Sequence, residues 1–150
     1  MNMVKKSSKI TDVWNKTSKH DKILSILAAV IFVSGFLPWI SVSGGSIYGV
    51  TASFNVSYNG LHSYGFLSFL GALAYLLWRY LPVFGVKMPK FSWTDEVTQK
   101  ILAVVILAGP ALWILSSGFY FQMYGVGMWV ALAASAVFTY FSFSSKKLAK

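Results

Sequence analysis

Apolar residues run without a charged side chain from residue 23 to residue 40, ending in Phe36-Leu37-Pro38-Trp39-Ile40. At about 1.5 Å of rise per residue, a helix of this length covers ~27 Å, close to the ~30 Å hydrocarbon core of a bilayer. Three further apolar runs follow, over 61–81, 101–117 and 125–143, and each reads as a span. The pattern predicts an all-α integral membrane fold, a four-transmembrane-helix bundle forming a single membrane domain over residues 1–150. The polar segments between the spans are an arm over 1–22, loops over 41–60, 82–100 and 118–124, and a tail over 144–150.

The loop over 41–60 has a different period. From Val50 it alternates, with Val50, Ala52, Phe54, Val56 and Tyr58 on one side and Thr51, Ser53, Asn55, Ser57 and Asn59 on the other, the repeat of a half-buried strand. Gly44-Gly45, flanked by Ile40, Val42 and Ile47, suits a tight turn. These features predict a small β-hairpin in the first outer loop, apolar face toward the membrane. Asn55-Val56-Ser57 also fits a glycosylation acceptor. In the arm, Ile10, Val13, Trp14 and Thr17 fall at helical spacing, as in a short helix on the membrane surface. Thr94 followed by Asp95 and Glu96 predicts the capped start of the third span's helix. Gly109-Pro110 should kink that helix, because proline leaves the carbonyl one turn earlier without its donor.

Charge fixes an orientation. Only 11% of residues are charged and 56% are hydrophobic, against roughly 25% charged in soluble domains. With four crossings, all 13 Lys and Arg residues fall on one side, in the arm, around Arg79 to Lys100, and in the tail. The loops over 41–60 and 118–124 carry none. The positive-inside rule then predicts cytoplasmic N- and C-termini in the plasma (cytoplasmic) membrane. The run over 23–40 is long enough to span, and Pro38-Trp39-Ile40 is a poor cleavage site, which argues against a removable signal peptide.

Short matches relate the two halves. Lys22-Ile23-Leu24 recurs as Lys100-Ile101-Leu102, the segment from Trp39 to Gly44 resembles that from Trp113 to Gly118, and Tyr64-Gly65 matches Tyr124-Gly125. A duplicated helical hairpin, both copies in the same orientation, would give this order.

Chemistry-bearing residues are few. Cysteine is absent, which excludes disulfides and thiolate sites. No Asp, Glu, Lys or Arg falls inside a predicted hydrocarbon core, which argues against a proton-coupled carrier. His62 and His20 lie on opposite sides, so no bis-imidazole or zinc pair forms, and no serine has a base beside it. The expectation is no enzyme, no cofactor, no metal and no nucleic-acid partner. The fourth span carries Gly127, Ala131, Ser135 and Thr139 every fourth residue, and the second carries Ser68 and Ala72, stripes that permit close helix packing within the bundle or against another subunit. Trp39, Trp113, Tyr120, Tyr124 and Trp129 fall at the outer boundary, as interface anchors do.

Four spans, cytoplasmic termini and a β-forming first outer loop resemble the architecture of claudins. The paired cysteines and Gly-Leu-Trp motif of that family are absent from this loop, so the resemblance implies an architecture and carries over no site residue. The functional expectation is a non-catalytic accessory or assembly subunit of a membrane complex, with the bilayer, other subunits or its own copies as partners. The alternatives are a homo-oligomeric channel for a neutral or apolar solute, using the Pro110 kink with Ser116, Ser117 and Gln122, or a lipid- or quinone-binding protein using the outer aromatics.

Overall fold

The computed structural model describes residues 3–44, 46–47, 50–51, 55–90 and 92–144. It is mostly helical, with a small antiparallel hairpin and three helices long and apolar enough to cross a membrane. Helix α1 is Met3–Lys16, α2 Lys19–Ser34, α3 Gly65–Tyr80, α4 Asp95–Ser117 and α5 Val126–Ser144. The three candidate spans are Gly65–Phe84, in which a 3-10 turn extends α3, then Asp95–Ser117 and Val126–Ser144.

Helices α2 to α5 pack in a closed ring, each against the next and α5 against α2. Leu24, Ala28, Ile31, Ala72, Tyr75, Ala103, Ile106 and Phe138 fill its centre. Tyr75 and Phe138 meet edge to face at 5.0 Å across the axis, a favoured aromatic geometry. The axis is therefore closed within one chain, and the serines of the channel reading are used locally. Ser116 and Ser117 both donate to the carbonyl of Trp113, at 3.0 and 2.7 Å.

The chain turns back at each end for identifiable reasons. Ser18 caps α2, its hydroxyl accepting from the Asp21 amide at 3.1 Å, and Asp21 sits where the helix dipole favours an anion. Asp21 also pairs with Arg79 at 2.5 Å, bringing the start of α2 to the end of α3. Thr94 caps α4 as the sequence predicts, accepting from the Val97 amide at 3.4 Å. His20, edge-on to Phe141 at 5.9 Å, lies at this same end. The described cations thus gather at one end of the bundle, the basic end, and the hairpin stands at the other.

Pro110 lies inside α4 without interrupting it. Its missing N–H strips the Ile106 carbonyl of its donor, and the Ser68 hydroxyl on α3 donates to that oxygen at 2.6 Å. Gly109 makes room, since a methyl group there would occupy the position of the Ser68 hydroxyl. Ser68→Ala should lower stability by about 1 kcal/mol when Pro110 is present and by less in a Pro110→Ala background, where the backbone amide returns. Unfolding of the four variants in detergent gives the coupling directly.

The first apolar run does not form one helix. Where 23–40 predicts a span, α2 ends at Ser34 and strand β1, Pro38–Ser43, begins four residues on. Pro38 explains the break, because the residue before proline is pushed toward extended backbone. The second span likewise starts late: residues 60–64 form turns, with Ser63 at φ 51°. Between β1 and β4, Asn55–Asn59, in sequence lie strands β2, Ser46–Ile47, and β3, Val50–Thr51, which pair with Ile47 opposite Val50, while Gly45 of the predicted Gly44-Gly45 turn lies outside the described residues. Of the predicted apolar face, Val56 and Tyr58 are exposed, while residues 52–54 lie outside the described residues. Asn55 pairs with Ser43 through its backbone.

The predicted repeat does not hold at its tryptophans. Trp39 is in a strand and Trp113 inside a helix, so the matched segments adopt different structures even though each half is a helical hairpin.

Candidate functional site

The hairpin is joined to the bundle through one side chain. Trp39 is fully buried beside a register irregularity in the β1–β4 ladder, between Pro38 and Ile40, which swings it out of the sheet and down among the helices. Its indole N–H donates to the carbonyl of Ser34 at 2.9 Å, satisfying one of the carbonyls left open where α2 stops. The ring meets Trp113 of α4 at 5.4 Å and 64°. Met128 and Ala131 of α5 complete the cluster with Tyr124.

Backbone closes the same seat. The Gly125 amide donates to the Trp39 carbonyl at 2.8 Å, and Ile40 bridges to Tyr124 in antiparallel fashion. Methyl groups at Gly60 or Gly127 would strike the Trp39 ring, and one at Gly125 would stand on the Pro38 carbonyl. Tyr124 ties down α4 as well, its hydroxyl donating to the Gly118 carbonyl at 2.5 Å and lying 2.8 Å from the Ser117 hydroxyl.

The residues that the sequence groups as a site fall into three sets. Trp39, Trp113 and Tyr124 are buried, so they serve the hairpin seat and do not face lipid. Tyr120, 65% exposed, and Trp129, 44% exposed, are free to anchor, and Trp129 stacks on Phe121 at 5.9 Å. The small-residue stripe is turned inward: Gly127 lies against Leu37 and Trp39, Ala131 and Ser135 are buried, and the Thr139 hydroxyl donates to the Ala103 carbonyl at 3.2 Å. Ser68 and Ala72 are buried too, with Ser68 bound to α4. With these residues packed inside the bundle, neither stripe is a free docking surface for a second subunit. Gly109 and Pro110 are buried at the α3–α4 contact.

His62 forms a local hydrogen bond, Nδ1 lying 2.7 Å from the Asn59 side-chain oxygen. Among the described residues, no three of His, Asp and Glu come close enough to hold a metal ion. The sequence reading missed Gly60, Gly125 and the Ser34 carbonyl as the cradle of Trp39. Only the clustering of glycines at 60, 65, 125 and 127 hinted at close backbone approach there.

What remains open on the hairpin is an edge. Strand β1 lies between β4 and the Tyr124 bridge, whereas β4 pairs only with β1 among the described residues. Its Val56, Ser57 and Tyr58 are exposed. Unpaired strand edges are templates for adding a strand from another chain.

Fold and site together define a mostly helical membrane protein with an antiparallel hairpin locked into one end of its helix bundle. Comparison with known protein families, curated proteins and solved structures gives no match.

Proposed function

We propose that this chain is a non-catalytic accessory or assembly subunit that crosses the membrane four times and offers the open edge of β4 to a partner on the outer side. The carrying observation is the pairing of a rigid seat with an unpaired edge: a hairpin is marginal on its own, yet Trp39 and the Gly125 amide hold this one in place. An edge presented on a fixed platform binds with less ordering cost than a mobile one.

The place of α2 in the ring supports a reading of four crossings. At 16 residues it covers only about 24 Å as a helix, but it packs alongside α3 and α5. Its outward residues Ile23, Ile26, Val30 and Val33 are apolar and exposed, as a lipid-facing surface is. With the lysines and Arg79 at one end, the positive-inside rule assigns that end and both termini to the cytoplasm, and the plasma membrane is the natural location.

Affinity purification from native membranes in mild detergent tests the subunit reading. The wild-type chain should co-elute with a stoichiometric membrane partner. Val56→Lys, which places a charge on the open edge, should lose that partner without changing the melting temperature. A wild-type chain that elutes alone and monodisperse contradicts the proposal.

A further inference from the structure

A cleft at the basic end combines charge and apolar surface in one place. A cavity of about 460 Å³ opens between the end of α3 and the start of α4, with Arg79, Lys90, Asp95 and Thr98 among its walls. A second cavity of about 310 Å³, entirely apolar in character, runs on from it past Ala74, Ile101 and Leu102. Trp78, Met88, Pro89, Trp93 and Thr98 line both, so the two are one continuous amphipathic groove roofed by the loop that joins the helices. From Arg79 back to Ala74 the groove descends about 7 Å along α3, from the charged end into the apolar body of the bundle.

We infer that this groove holds one glycerophospholipid of the cytoplasmic leaflet, with an ethanolamine-type headgroup. The phosphodiester fits between Lys90, which enters no ion pair among the described residues, and Arg79, which pairs with Asp21 through one guanidinium nitrogen and has further N–H donors. The primary ammonium fits against Asp95, whose carboxylate would repel a purely anionic headgroup. Trp78 and Trp93 supply the amphipathic rings that favour the headgroup level and a surface on which an ammonium is attracted. One acyl chain enters the apolar cavity between α3 and α4. Two cations and one carboxylate around a single cavity complement a headgroup that carries both charges, and the adjoining apolar cavity requires a tail. This assignment is independent of any partner at the hairpin.

Native mass spectrometry of the full-length protein, titrated in mild detergent with phosphatidylethanolamine, phosphatidylglycerol or diacylglycerol of identical chains, tests it. One phosphatidylethanolamine should bind per chain, saturably, ahead of phosphatidylglycerol and well ahead of diacylglycerol. Lys90→Gln should weaken it about tenfold, the loss of one charge-assisted contact, and Asp95→Asn should remove the preference for ethanolamine over glycerol. Ala74→Trp, which fills the tail cavity from an exposed position, should abolish binding while the lipid-free melting temperature stays unchanged. Three results would each overturn the assignment: equal binding of diacylglycerol, displacement of the lipid by millimolar phosphoethanolamine, or undiminished binding by a folded Ala74→Trp variant.

Discussion

Trp39→Ala should lower the stability of the folded protein by about 3–5 kcal/mol, the range for removing a buried large aromatic side chain. The loss has two parts. The ring fills the space between Trp113, Met128 and Ala131, and its truncation leaves a cavity that the β-ladder prevents from collapsing. Its N–H also leaves the Ser34 carbonyl, which among the described residues retains only the Leu37 amide at 3.2 Å. Trp39→Phe separates these parts, keeping most of the ring and losing only the hydrogen bond, for about 1 kcal/mol beyond the change in packing. Trp113 provides the contrast. Its indole nitrogen is buried without a hydrogen-bond partner among the described residues, so Trp113→Phe removes an unsatisfied donor and should cost less than Trp39→Phe. Thermal unfolding in detergent ranks the variants, and limited proteolysis shows whether the hairpin is released first in Trp39→Ala.

Gly65→Ala and Gly125→Ala should each be as damaging as the upper end of ordinary overpacking, about 3 kcal/mol or more. The reason is what the new methyl group would meet. At Gly65 it is the carbonyl of Gly60, and at Gly125 the carbonyl of Pro38. Backbone cannot rotate aside as a flexible side chain can, so relief requires moving the hairpin off the helix ends. Gly85 is the control: none of the described residues lies within 4 Å of a methyl group there, but its φ is +82°, so Gly85→Ala carries only the left-handed backbone cost of about 1–2 kcal/mol. Equal losses at Gly85 and Gly125 would show that conformation matters and close approach does not.

Much of the framework is legible in the sequence because hydropathy and charge act over long stretches. The helices α3, α4 and α5 follow the apolar runs, Thr94 caps where its neighbours predict, and Pro110 signals a carbonyl in need of a donor. The donor itself, Ser68, is 38 residues from Ile106, and no local pattern points to it. The first run misleads because Phe36 to Ile40 is apolar throughout, a composition that suits a buried strand as well as a helix end. Pro38 carried the information that favours the strand. The aromatics mislead for a related reason: a tryptophan that anchors in the interface and one that plugs a core have the same flanking residues. Burial separates Trp39 from Trp129, and burial depends on the bulge at Pro38 and the glycines at 60 and 125.

The proposed placement of the two ends on opposite sides of the membrane underlies both the proposed partner-binding edge and the proposed lipid groove. The chain contains no cysteine, so single cysteines can be introduced at Ser57 on the hairpin and at Lys87 in the basic loop and labelled with a membrane-impermeant maleimide. Ser57→Cys should label in intact cells, and Lys87→Cys only after permeabilisation. Labelling of both positions from the same side would contradict four crossings with the hairpin outside.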